Sequence, residues 1–359
     1  MITDVMKVVI AGGGPAGLIT GLKLLEKGIS PIILERKAEI ASTACAEGCD
    51  IASLKQIPFD SSPYISKDVE GTKFLFPGGY SFSSSRKGVV LDRNRWIKGM
   101  AEEFAGRGGI IKTGAGVISI DEGMAILKNG ERMAYDVLIG ADGPFSVVGK
   151  YLGNKQEVLP AVQYKIECDT SEIDYMKFYF DKRFSPHYSW VFPKDRVLNV
   201  GLAGKFSQLD NFVKFLGLDG KIIKKEAGAI PVSGLAHIIA RRNIALIGDA
   251  ASMTNPFSGG GLTPIIHASS ILSENIDNLK NYEQEIKKHP MSDPVLVKAK
   301  NLLMELTNRE LEKMGKLVDG RTYEEMRFSD ILRAAFHPML IPKMLTLGRG
   351  IVITMKWGW

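Results

Sequence analysis

Gly12, Gly14 and Gly17 stand in the run GGGPAG, directly after the apolar segment 7–11 (KVVIA) and directly before LITGLKLLEKG. Strand, glycine turn and helix in that order make a pyrophosphate site. Gly12 permits the tight turn, Gly14 lets the backbone approach the phosphates, and Gly17 lets the helix pack closely on the strand. The helix that opens at Pro15 and Ala16 points its free N–H groups at the anion. Glu35 follows the second apolar run, 31–34 (PIIL), and lies 18 residues past Gly17. A carboxylate there accepts hydrogen bonds from ribose hydroxyls, and an acceptor-only group repels a 2′-phosphate. The nucleotide expected is FAD or NAD, not NADP, with Arg36 beside it.

NAD needs little beyond that first unit, whereas the ribityl chain and isoalloxazine ring of FAD need further contacts. Two later segments can supply them: GADGPFSVV at 140–148 and GDAASMTNPFSGGGL at 248–262. A glycine-lined helix N-terminus stabilises the negative charge of a reduced flavin. Both segments resemble Asp-Gly motifs of the aromatic-hydroxylase and geranylgeranyl-reductase flavoproteins. The resemblance implies that Asp142 and Gly143 lie behind the pyrophosphate and that Asp249 holds a ribityl hydroxyl. It implies that Pro256 and the run Gly259, Gly260, Gly261, followed by Leu262, bring backbone N–H groups to the flavin edge. In LDRNRW, Arg93 would reach the phosphates or the ribityl side, Arg95 being its substitute and a plain surface arginine the alternative. Val117 would meet the adenine through its backbone.

PHYSWVFP at 186–193 resembles the YxWxFP motif of the geranylgeranyl reductase family, with Tyr188, Trp190, Phe192 and Pro193 at its fixed positions. In that family the strand lines a long apolar tunnel over the flavin, and aromatic rings give an isoprenoid chain large apolar area. The alternative for Trp190 and Phe192 is ordinary sheet core. The family also carries a cysteine after the second strand, commonly as Cys-Gly-Gly. Here the loop reads Cys45-Ala46-Glu47-Gly48-Cys49, keeping Gly48 but not the glycine after the cysteine. Cys45, Ala46 and Gly48 are expected at the flavin. Cys45 is the catalytic candidate, facing the ring or the substrate alkene, against a plain buried cysteine.

The resemblance implies an FAD-dependent reductase that saturates C=C bonds of geranylgeranyl chains, in archaeal-type ether lipids or prenyl diphosphates. An unactivated alkene needs a hydride from flavin N5 and a proton at the other carbon, in a dry aromatic pocket that stabilises developing positive charge. Cys45, Tyr188, His187 (read as a solvated loop residue) and a bound water are the proton donors to weigh. The external electron donor would be NADPH, NADH or a ferredoxin. Competing readings are an NAD(P)H-dependent aromatic monooxygenase and a non-catalytic prenyl carrier without FAD. A quinone-reducing dehydrogenase with an iron–sulfur module is a further one, which the three cysteines cannot supply with cluster ligands.

The elements that must position these residues can be read from the same sequence. With 359 residues, 45% of them hydrophobic and 24% charged, the chain can bury the core of two interlocked domains. The expected fold is α/β: a Rossmann-like FAD-binding domain from 1–60, 89–158 and 240–280, interleaved with an antiparallel β-sheet substrate domain from 61–88 and 159–239. A C-terminal helical region spans 281–359. A helix follows Asp92 and stops at Gly108-Gly109, and 41–88 is irregular. Cys45, Cys49 and Cys168 make neither a disulfide framework nor a zinc set, so no metal is expected. The formal charge of +6 suits acidic lipid head groups or a phosphorylated cofactor, and no nucleic acid is expected. Neither a signal peptide nor a spanning run is seen, giving a cytoplasmic expectation. The segment 331–359, apolar, basic and ending in two tryptophans, is either a helix folded on the core or a peripheral membrane contact.

Overall fold

The computed structural model describes residues 6–40, 44–121, 123–326 and 341–357. The centre is a six-stranded sheet in the order Ala240–Arg241, Ile244–Leu246, Val137–Gly140, Val8–Ala11, Ile32–Leu34, Ile110–Lys112. All neighbours are parallel except the first pair. Val8, Val9 and Ile10 are wholly buried, as a strand covered on both faces requires.

The helix Pro15–Glu26 crosses one face with Leu18 and Leu22 wholly buried. The helix Leu262–Glu274 lies along it, joined by the Thr20–Ser269 hydroxyl pair at 3.0 Å. The helix Arg93–Gly106 starts where expected, its Asp92 carboxylate accepting the Arg95 N–H at 3.4 Å.

Seven strands form the second large sheet: Ile222–Pro231, Val158–Glu167, Val197–Ala203, Ser189–Lys194, Tyr175–Tyr179, Gly71–Leu75 and Ser81–Ser84. Every pairing is antiparallel except Gly71–Leu75 with Tyr175–Tyr179. The irregular stretch expected at 41–88 is therefore corrected. It also holds Gly48–Asp50 and Ile65–Val69, both paired with Gly88–Leu91. These strands have three to five residues and find partners far along the chain. Local composition carries no trace of such pairing.

Past residue 279 the described elements are helical: Leu279–Lys288, Val295–Glu305, Asn308–Val318 and Ile341–Trp357. The last rests on Val295–Glu305, and its Gly350 comes so near that a Cβ there would lie 2.7 Å from the Ala299 methyl. Of the segment 331–359, residues 331–340 and 358–359 lie outside the described residues. Among those described, no helix is long and apolar enough to cross a membrane.

Candidate active site

The turn after the first strand works as its glycines require. Gly12 has φ +110°, and a Cβ there would stand 2.3 Å from the Ala141 carbonyl oxygen. A Cβ on Gly17 would lie 2.0 Å from the Gly12 oxygen, whereas one on Gly14 would meet nothing within 4 Å. Gly12 and Gly17 thus close the turn on itself, and Gly14 leaves space open in front of the helix. No side chain caps this helix N-terminus and no acidic residue lies in its first turn. The helix Leu262–Glu274, with Gly261 as N-cap, has the same two properties.

Both N-termini face one cavity of about 650 Å³. Its lining includes Gly12, Gly14, Pro15, Ala16, Glu35, Arg36, Arg93, Val117, Asp142, Gly143, Asp249, Gly260, Gly261 and Leu262. Cys45, Ala46 and Gly48 line it as well, as do Tyr188, Trp190 and Phe192. Two expected members are absent. Gly17 is behind the turn, spent on packing. Pro256 lines a second, smaller cavity with Ser233 and Met291.

The polar groups have defined states. Glu35 accepts the Gly13 N–H at 2.8 Å and the Lys37 N–H at 2.9 Å, one per oxygen, so each oxygen keeps acceptor capacity. Asp142 accepts the Ser146 hydroxyl and the Val147 and Val148 N–H groups, so it fastens the next short helix. Burial pushes its carboxyl above the ordinary range against those hydrogen bonds. Burial likewise raises the Asp249 carboxyl, which takes one hydrogen bond from Thr254 at 2.6 Å and has Arg93 nearby. Arg93 Nε is buried with no partner among the described residues. Arg95 is exposed, lies over the Tyr64 ring and does not line the cavity.

Two open helix N-termini, an unpartnered guanidinium nitrogen and a buried carboxylate with acceptor capacity fit an anionic dinucleotide with a polyol arm. FAD is a dinucleotide of that kind.

The other end of the cavity is apolar. Trp190 and Phe192 alternate with Val191 on the strand Ser189–Lys194, and all three are buried. Phe178 meets Tyr188 and Phe192 edge-on, with ring centroids 5.2 Å apart in each case. Phe74, Phe76, Phe82 and Phe180 extend the wall, and Leu347, Ile351, Thr354 and Met355 of the last helix close it. Sequence reasoning missed these. The period-2 pairs Phe74/Phe76 and Phe178/Phe180 were the available signal.

Gly48 is required by this wall, since a Cβ on it would lie 2.7 Å from the Phe192 ring. The Tyr188 hydroxyl donates to the Ser258 carbonyl, and burial raises its pKa. The indole N–H of Trp190 donates to Gln163 Oε1 at 2.8 Å, and Gln163 Nε2 donates to the Cys45 carbonyl at 3.0 Å. Cys45 Sγ accepts the Glu47 N–H at 3.3 Å. Cys49 is buried, and its thiol is pushed up by burial.

His187 is not the solvated loop residue expected. It is 3% exposed. Burial, then Lys182 and Lys300, push its pKa down to about 3, and its Nε2 has no partner among the described residues. It does not line the cavity.

The sequence matches two family models, a geranylgeranyl reductase catalytic domain over residues 157–229 and an FAD binding domain over residues 5–56. A digeranylgeranylglycerophospholipid reductase of Methanosarcina acetivorans is 28% identical, with 93% of each chain covered. One of Methanopyrus kandleri is 30% identical over 74% of this chain and 79% of its own. Among solved structures, a geranylgeranyl bacteriochlorophyll reductase-like protein of Thermoplasma acidophilum superposes with a TM-score of 0.82. It is 25% identical, over 95% of this chain and 98% of that one.

Proposed function

This chain belongs to the geranylgeranyl reductase family of FAD-dependent oxidoreductases, and we propose that the cavity described above is where it saturates the C=C bonds of geranylgeranyl chains of archaeal-type ether lipids. The observation that carries the assignment is the continuity of one cavity from the Gly12–Gly17 turn to the aromatic wall at Trp190 and Phe192. A dinucleotide and an isoprenoid chain can meet there without crossing solvent.

FAD, when bound, supplies the hydride from N5 of its isoalloxazine ring. The chain's own residues do the rest. The N–H groups opening Pro15–Glu26 would hold the pyrophosphate, Glu35 the adenosine ribose, and Asp249 a ribityl hydroxyl. Arg93 brings its unpartnered nitrogen to the phosphate or ribityl side. The uncapped N-terminus of Leu262–Glu274, which lines the cavity, would favour negative charge on a reduced flavin. Phe178, Trp190 and Phe192 orient the alkene and keep out water that would trap a developing cation. Cys45, on the cavity lining, holds the proton for the second carbon on its thiol. A Cys45→Ser protein that reduces lipid at the full rate would remove the thiol from the chemistry.

The last helix suits peripheral contact with a membrane that holds the lipid. Leu347 and Met355 face inward, while Leu345, Arg349, Val352 and Lys356 are exposed on the opposite side. Arg349 is partly engaged by Asp293 at 2.6 Å.

The deciding experiment is anaerobic incubation of the dithionite-reduced holoprotein with digeranylgeranylglycerophospholipid, followed by lipid mass spectrometry. The expected product gains two hydrogens per reduced bond. Unchanged lipid together with substrate-stimulated oxygen uptake under NADPH would instead make the protein a monooxygenase. A purified protein without flavin absorption would make it a carrier.

A further inference from the structure

Glu47 breaks two local rules at once. It is a non-glycine residue at φ +72°, in the region that favours glycine or asparagine. It is also a carboxylate only 4% exposed, where an apolar side chain would cost less desolvation. Its surroundings hold it there. Oε1 accepts from Lys165 Nζ at 3.0 Å, and Oε2 accepts from Lys194 Nζ at 2.8 Å and Asn199 Nδ2 at 2.9 Å. Both lysines are themselves largely buried. Burial would raise the carboxyl, but Lys194 and Lys165 outweigh it and hold it below the ordinary range.

All three partners lie on the sheet that forms the apolar wall. Lys165 is two residues from Gln163, Lys194 two from Phe192, and Asn199 pairs in register with both Lys165 and Phe192. Their contacts reach the loop at successive residues. Gln163 holds the Cys45 carbonyl at 3.0 Å, Asn199 the Ala46 carbonyl at 2.9 Å, and Leu91 N–H the Glu47 carbonyl at 3.0 Å. The Glu47 N–H turns back to the Cys45 sulfur at 3.3 Å.

We propose that Glu47 is the positioning residue of Cys45: its carboxylate, clamped by Lys165, Lys194 and Asn199, sets the backbone that aims the thiol into the cavity beside Trp190 and Phe192. A glycine would adopt the same φ without strain but would carry no anchor, and an apolar residue would supply neither. The value of that aim for alkene reduction rests on the function proposed above. The clamp itself does not, so it is tested without measuring lipid reduction.

The test follows iodoacetamide alkylation of Cys45 in the FAD-loaded protein by peptide mass spectrometry. A Cys168→Ser background removes the other accessible thiol, and the visible flavin spectrum is recorded in parallel. Glu47→Gln is expected to change the Cys45 alkylation rate by about tenfold or more and to shift the flavin bands, because thiol reactivity follows its immediate surroundings. Glu47→Asp should recover part of the parent rate. Lys194→Met, which keeps the Lys165 and Asn199 contacts, should change it by less than about threefold. Where Glu47→Gln does not give folded protein, Asn199→Ala carries the test. It frees the Ala46 carbonyl and one hydrogen bond to Glu47, with an expected change of roughly threefold or more. A Cys45 rate and flavin spectrum like the parent's, in either folded variant, overturns the assignment.

Discussion

The two ends of the cavity are built by different means. At the nucleotide end the contacts come from backbone: a turn closed by Gly12 against Ala141, and two helix N-termini left without side-chain caps. At the apolar end they come from side chains on strands widely separated in sequence, joined through Gln163, Asn199 and the Glu47 clamp. A backbone site tolerates almost no change in shape, because there is no rotamer to adjust. A wall of rings has more freedom to repack.

That contrast sets the order of expected effects. Gly12→Val should be the most damaging. Its Cβ would fall on the Ala141 carbonyl at a φ that valine does not adopt, so FAD retention should drop by roughly a hundredfold or more, read as flavin absorbance per protein after gel filtration. A yellow, fully loaded variant would break the comparison.

Asp249→Asn should separate binding from stability. Burial raises this carboxyl, so the folded state holds its proton more tightly than the unfolded chain. Stability is therefore lost as pH rises from the ordinary aspartate range through the raised value. Asn escapes that loss. The FAD-free variant should melt about 1–3 °C above the parent at neutral pH, with the gap closing in acid, while FAD affinity falls about tenfold. A destabilised FAD-free variant would mean that the charge contributes to the fold.

Phe178→Leu tests the adaptable end. It should leave flavin content unchanged, lower stability by about 1 kcal/mol and raise the KM for lipid by a few-fold. Loss of flavin from this variant would show that the two ends are not independent. The smallest effect is expected for Val352→Asp on the exposed face of the last helix, about a twofold to fivefold loss of flotation with anionic vesicles at unchanged activity on detergent-dispersed lipid.

The same contrast explains what the sequence could reveal. Gly12 and Asp142 each sit between a strand and a helix start within a dozen residues, and Glu35 and Asp249 each follow a buried strand closely, so a local reading of the sequence singles them out, and all four line the cavity. Tyr188, Trp190 and Phe192 stand in a spaced motif, and all three line the cavity. Glu47 was not legible, since its meaning depends on Lys165 and Lys194, more than a hundred residues away. His187 was misread for the related reason that nothing local signals burial. The short strands between 48 and 84 escaped notice because each is stabilised by distant partners, not by its own composition.

The parallel pairing of Gly71–Leu75 with Tyr175–Tyr179 bears on how the chain is made. The hairpin of Gly71–Leu75 and Ser81–Ser84 leaves the ribosome first, about a hundred residues ahead of the strand that seats it. During that interval its edge and its phenylalanines have no native cover, and the central sheet still lacks the strand Ile244–Leu246. Folding therefore waits on contacts of long sequence separation, which slows it and exposes apolar edges to other chains. Synthesis at lower temperature, or with a holdase present, should raise the yield of native protein more than any stabilising substitution in the finished core.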